Sequence, residues 1–150
     1  MKFGIPIPQV FLDGRADMGL VADVLTRAEA LGFDGAWVQD QVAGNVPLLE
    51  SVGLLSYAAA NTTTLRLGVS VIVLPIRNAP QLAKNISSLD HLSNGRVTLG
   101  VGLGPVFPGA GDHYFPIFGT RADEALRRFN ENIAVMKSLW TRDTTDIDGE

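Results

Sequence analysis

The stretch from Leu65 to Gly104 leaves this chain few choices of fold. Leu65 to Leu74 is a run of β-branched and aliphatic residues, too apolar for a half-exposed strand. Runs of this kind suit a parallel strand buried on both faces. Pro75 ends the run. Pro80 opens a helix carrying Leu82, Ile86 and Leu89 on one side, and Gly95 stops it. Val97 to Val101 is a second short apolar strand that runs into Gly102 and Gly104. Two parallel neighbours need a crossover helix between them, and the spacing here provides one.

The same alternation runs through the rest of the chain. Phe3 to Ile7 reads as a short strand, limited by Pro6 and Pro8. Asp13 to Asp17 is a turn, and Asp17 can cap the next helix. Leu20, Val21, Val24, Leu25, Ala28 and Leu31 recur at helical spacing up to Gly32. Gly35 to Val38 is a strand, Gln39 to Val46 a loop, and Pro47 to Asn61 a helix with Glu50 in its first turn. Pro105 to Gly119 reads as a long loop of Gly, Pro and aromatic residues. Thr120 with Asp123 resembles a capping box. Leu126, Phe129, Ile133, Met136 and Trp140 then form one apolar stripe of a helix, with Asp123–Arg127 and Glu124–Arg128 as i,i+4 pairs.

Strands thus begin near Phe3, Gly35, Leu67 and Val97, a βα unit of roughly thirty residues. A (β/α)8 TIM-type barrel of about 250 residues divides into units of that size. The expected fold class is therefore α/β: the first four βα units of such a barrel. Residues 1–150 would be the N-terminal half of a single domain. Asp148-Gly149 is a hairpin signal with only Glu150 after it, so the natural reading frame is expected to continue.

Composition narrows the function classes. A net charge of −4 offers no basic stripe for nucleic acid. With no cysteine, disulfides and thiolate metal sites are excluded, and two separated histidines make a poor zinc site. No apolar run would span a bilayer, and the proline-broken start makes a poor signal peptide, so a cytoplasmic location is expected.

Three pieces carry a family resemblance: Leu74-Pro75 at a strand end, the helix end Leu89-Asp90-His91-Leu92-Ser93-Asn94-Gly95-Arg96, and Gly100-Val101-Gly102-Leu103-Gly104. Gly32 to Gln41 (GFDGAWVQDQ) and the helix end Leu139-Trp140 extend the match. The chain resembles the bacterial luciferase-like flavin-dependent oxidoreductases. The resemblance implies reduced FMN or coenzyme F420 lying across the C-terminal strand ends and a small organic substrate. With FMN the reaction would be monooxygenation; with F420, hydride transfer. It also implies a homodimer at full length.

Candidate site residues follow from the C-terminal ends of the strands, where barrel enzymes keep their chemistry. Relatives often carry an Asp-His or Glu-His pair where this chain has Asp40-Gln41. Glutamine has no titratable proton near neutrality, so Gln41 can only hydrogen-bond ring or substrate. Asp40 reads as a base or hydrogen-bond partner, and equally as a solvated loop carboxylate. By resemblance, a non-proline cis peptide supporting the flavin ring aligns with Ser70-Val71; the residue types alone fit an ordinary trans strand. Gly102 and Gly104 lack the helix and further glycine of a dinucleotide fingerprint. They suit close approach of bare backbone to a flat ring, or simply a turn. Arg77, Asn78 and His113 stand on the site side, while His91, Asp90 and Arg96 stand at the opposite end and suit stability. The 105–119 loop would cover the site. The phosphate grip of a barrel comes from its last strands, so residues 1–150 alone should bind cofactor poorly. Two rivals remain: a non-catalytic flavin-binding or interaction protein on the same scaffold, and a barrel enzyme gripping a sugar phosphate without flavin.

Overall fold

A computed structural model describes residues 1–107, 109 and 111–146. The strands are β1 (Gly4–Pro6), β2 (Gly35–Val38), β3 (Arg66–Val73) and β4 (Val97–Gly102). The helices are α1 (Met18–Ala30), α2 (Ser51–Asn61), α3 (Ala79–Leu92), α4 (Gly111–Tyr114) and α5 (Ala125–Thr141). They make one sheet in the order β1-β2-β3-β4, with β1, β2 and β3 parallel. Strand order thus follows chain order, as successive βα units of a barrel require. The Asp148-Gly149 hairpin expected from sequence lies outside the described residues.

The chain divides into two compact units. The first contains Met1–Ile72 and Ser88–Gly100. Ala36, Val38, Leu67 and Val69 give the sheet one buried face, and Val21, Leu25, Leu54 and Leu55 of α1 and α2 are buried too. Asp17 caps α1 as its sequence position predicts, accepting from the Leu20 N–H at 2.9 Å. β3 is not buried throughout: Ser70 and Val71 are exposed, and the peptide between them is cis. β4 is half-buried along its whole length.

Two charged residues lock the ends of α1, α2 and α3 to the starts of β3 and β4. Glu29 accepts from the N–H groups of Thr63, Thr64 and Leu65 and from both threonine hydroxyls. Burial alone would raise its carboxyl, but these bonds outweigh that and hold it at about 2. Arg96 donates to the carbonyls of Ala59, Thr62, Leu65 and Ser93 and to Thr62 Oγ1, at 2.6–3.1 Å. It satisfies carbonyls that a helix end leaves orphaned, where a cation also suits the dipole. Ser93 is fully buried; its hydroxyl donates to the Asp90 carbonyl and accepts from the Arg96 N–H. Asp90 reaches the Val97 N–H at 3.4 Å. The Leu89–Arg96 motif is therefore a splice between helix and strand, as its position suggests.

Three expected boundaries move. The helix drawn from Pro47 begins at Ser51, because Glu50 is its cap and accepts from the Gly53 N–H at 2.7 Å. The preceding residues pair elsewhere: Leu49 N–H donates to the Gln9 carbonyl, and Leu48 bridges Val10. β1 shortens to three residues, Gly4–Pro6, ending at the first of its two prolines. The expected loop from Pro105 to Gly119 contains α4 and a 3-10 turn, Phe115–Phe118.

The second unit contains Val73–Ser87 and Val101–Glu150. Leu74–Ile76 form a 3-10 turn whose carbonyls are held by α5. Asn132 donates to the Leu74 and Arg77 carbonyls, and Arg128 to the Pro75 carbonyl. Trp140 donates to the Ala83 carbonyl at 3.0 Å. Phe115 is fully buried and meets Tyr114 edge to face. The capping box at Thr120 shifts by one residue, its hydroxyl bonding Glu124, while Asp123 is held by Arg121.

Candidate active site

Where β1 and β2 end in the first unit, beside Ser70 in the middle of β3, a cavity of about 450 Å³ opens, lined by Pro6, Trp37, Val38, Gln39 and Ser70 among others. Its shape depends on two glycines. A Cβ on Gly4 would lie 2.4 Å from Trp37 Nε1, and one on Gly68 would lie 2.3 Å from Cε3 and Cζ3 of the same ring. The indole therefore rests directly on the bare backbone of the two flanking strands, a flat surface that any side chain there would lift.

Asp40 and Gln41 leave β2 just beyond this cavity. Asp40 is half-buried, and its Oδ1 accepts from Ser51 Oγ at 3.1 Å. Ser51 is fully buried at the first position of α2, so it fixes the carboxylate to a rigid element. Gln41 is exposed, and its amide lies against Gly44 of its own loop. Behind both sits Gln9, only 6% exposed. It donates to the carbonyls of Gln39 at 2.8 Å and Leu49 at 2.7 Å, and accepts from the Gln39 N–H at 2.9 Å. Sequence reading missed Gln9, Ser51 and Trp37. Only the Gly-Trp-Gly spacing across strands could have flagged the last.

Gly102 and Gly104 fall in the second unit. Gly104 has φ +83, and a Cβ there would come 2.6 Å from Val73 Cγ1. Its own backbone thus accounts for the glycine. Gly102 ends β4, half-buried. In the same unit Asn78 is a helix cap, its Oδ1 accepting from the Gln81 N–H at 3.0 Å. Arg77 and Asn78 line a separate pocket of about 250 Å³ with Gln81 and Asn85. His113 is exposed on α4 and His91 at the end of α3. Among the described residues no three His, Asp or Glu gather closely enough to hold a metal ion. Nor is any described helix long and apolar enough to cross a membrane.

With parallel strands in chain order and a cavity at their C-terminal ends, the sequence profile of luciferase-like monooxygenases matches residues 1–150. The chain belongs to the luciferase-like monooxygenase family. Among curated luciferase-like relatives, an F420-dependent glucose-6-phosphate dehydrogenase of Kineococcus radiotolerans is 30% identical over 139 residues. The match covers 88% of this chain but 40% of that protein. Among solved structures, monooxygenase RslO1 from Streptomyces bottropensis superposes on all of this chain with a TM-score of 0.82 and 25% identity. The oxygenating constituent of 3,6-diketocamphane monooxygenase from Pseudomonas putida, in complex with FMN, also gives 0.82, at 21% identity. These cover 46% and 42% of the respective chains. The chain spans less than half the length of the luciferase-like proteins it matches, and its fold is that of the first βα units of their barrel.

Proposed function

We propose that this chain is the N-terminal half of a luciferase-like oxidoreductase that binds reduced FMN or F420 and acts on a small organic substrate. One observation supports the cofactor reading above others: the flat Trp37 surface, seated on Gly4 and Gly68, lines a cavity at the strand ends. Its volume of about 450 Å³ lies in the range of small-molecule sites. The residues present fit a planar ring, with aromatic and proline surface below and polar groups of Gln39 and Ser70 at the edge. When bound, the cofactor supplies the redox chemistry, oxygen activation with FMN or hydride transfer with F420. The chain's part is to hold and shield it. Pro6, Trp37 and Ser70 would bear on the ring, with Val71 beside Ser70 in β3. Asp40, fixed by Ser51, would accept or return a proton, and Gln41 would hydrogen-bond substrate.

The full-length protein is read as a cytoplasmic dimer with a small-molecule substrate. Titrating the product of the full reading frame with FMN and with F420, by absorbance and fluorescence, tests this. Binding of FMN with substrate-dependent oxygen uptake identifies a monooxygenase. F420 binding with no oxygen uptake identifies hydride transfer. Cofactor bound without turnover of any substrate tried would favour a binding protein on the same scaffold. Binding of neither would sink the proposal.

A further inference from the structure

We infer that Gln9 is a positioning residue that sets where the loop carrying Asp40 and Gln41 leaves the sheet. The loop runs from Gln39 to Leu49, and Gln9 closes it at both ends. Its side-chain amide donates to the carbonyls of Gln39 and Leu49, and its side-chain oxygen accepts from the Gln39 N–H. Its own main-chain carbonyl takes the Leu49 N–H at 3.1 Å. Four bonds from one residue thus tie together segments 30 and 40 positions away. The side chain is buried, so water cannot replace these partners without opening the loop. Ser51, two residues past Leu49, then holds Asp40. Gln9 accordingly fixes the base of the loop and Ser51 its carboxylate. A residue that only filled space would need the volume of glutamine; this arrangement needs its donor and its acceptor.

The two needs separate by substitution. Gln9→Met keeps the volume and loses all three side-chain bonds. Gln9→Glu keeps the acceptor for Gln39 N–H and loses the donor. Amide hydrogen exchange is followed in the full-length protein. In Gln9→Met, the Gln39 amide and the amides of residues 40–48 should exchange about tenfold faster, as loss of one or two such bonds gives. Gln9→Glu should keep the Gln39 amide protected while residues 42–48 still exchange faster. Exchange in α1 should change in neither. The consequence for the site rests on the flavin reading: the midpoint of the FMN or F420 difference spectrum should rise about tenfold in Gln9→Met, and the amount of signal at saturation should stay the same. Unchanged exchange in Gln9→Met, or equal acceleration throughout α1 in both variants, overturns the assignment. If the unsubstituted protein binds neither cofactor, the flavin reading fails, and the exchange result still decides whether Gln9 holds the loop.

Discussion

Within the first unit, the two ends of the same sheet are built on opposite terms. Where β3 and β4 begin, the charges are consumed by main chain: Glu29 takes three N–H groups and Arg96 gives to four carbonyls. Where β1 and β2 finish, the clamp is a neutral amide, the carboxylate of Asp40 is only half-buried, and Ser70 is exposed. An ionised group whose hydrogen bonds are all taken up within the fold contributes stability and has little left for a ligand. The difference therefore separates the end that holds the fold from the end where chemistry can occur, the division expected of a barrel.

Removing Arg96 should break the contrast most severely. Arg96→Met strands the carbonyls of Ala59, Thr62, Leu65 and Ser93, and denaturant unfolding should show a loss of about 3 kcal/mol. A loss below about 1 kcal/mol would mean that water replaces the guanidinium freely. Gly68→Ala comes next. A Cβ there collides with Trp37, so unfolding should show about 2 kcal/mol lost, with a shifted tryptophan emission maximum. An unchanged emission spectrum would contradict the close seat of the indole.

The Glu29 effect is smaller and visible in its pH dependence. Its folded carboxyl lies at about 2, below the ordinary 4.5. A depressed acid contributes stability above its unfolded value and loses it as pH falls through the folded one. Glu29→Gln should therefore flatten the acid limb of the stability curve between pH 4.5 and 2. The variant keeping the original slope would assign the acid limb to other carboxylates. Asp40→Asn should move stability least, within about 0.5 kcal/mol, since the half-buried asparagine oxygen can still accept from Ser51. Turnover of the full-length protein should nonetheless fall by about a hundredfold if Asp40 moves a proton. A variant as active as the original would remove Asp40 from that role while leaving the fold account intact.

Much of the fold was legible because its signals are local. Asp17 before the Leu20–Leu31 periodicity announces a cap and a helix, and the β-branched run ahead of Pro75 announces β3. The helix start at Ser51 was not legible, since Pro47 to Leu49 are drawn off by residues some forty positions earlier, through Gln9 and Val10. The short helix at Gly111–Tyr114 has too few residues for periodicity to register, and burial of Phe115 anchors its end. The candidate site was half legible. Asp40 and Gln41 stand at a strand end that the pattern itself located, whereas Ser70, inside β3, was reached only through the family resemblance. Gln9, Ser51 and Trp37 act through partners in other strands and loops, and one-dimensional spacing carries no mark of that. Gly104 teaches the reverse, for its conformation and its contact with Val73 require glycine whether or not a ring lies near.

The central claim is that a flavin or deazaflavin ring belongs at the exits of β1 and β2, beside Ser70 of β3. The most direct test is a crystal structure of the full-length protein grown with reduced or oxidised FMN and, separately, with F420. The account predicts the ring against Trp37 and Ser70, with the Asp40–Gln41 loop at its edge. A ring bound elsewhere on the protein, with the Trp37 surface still facing solvent, would contradict it.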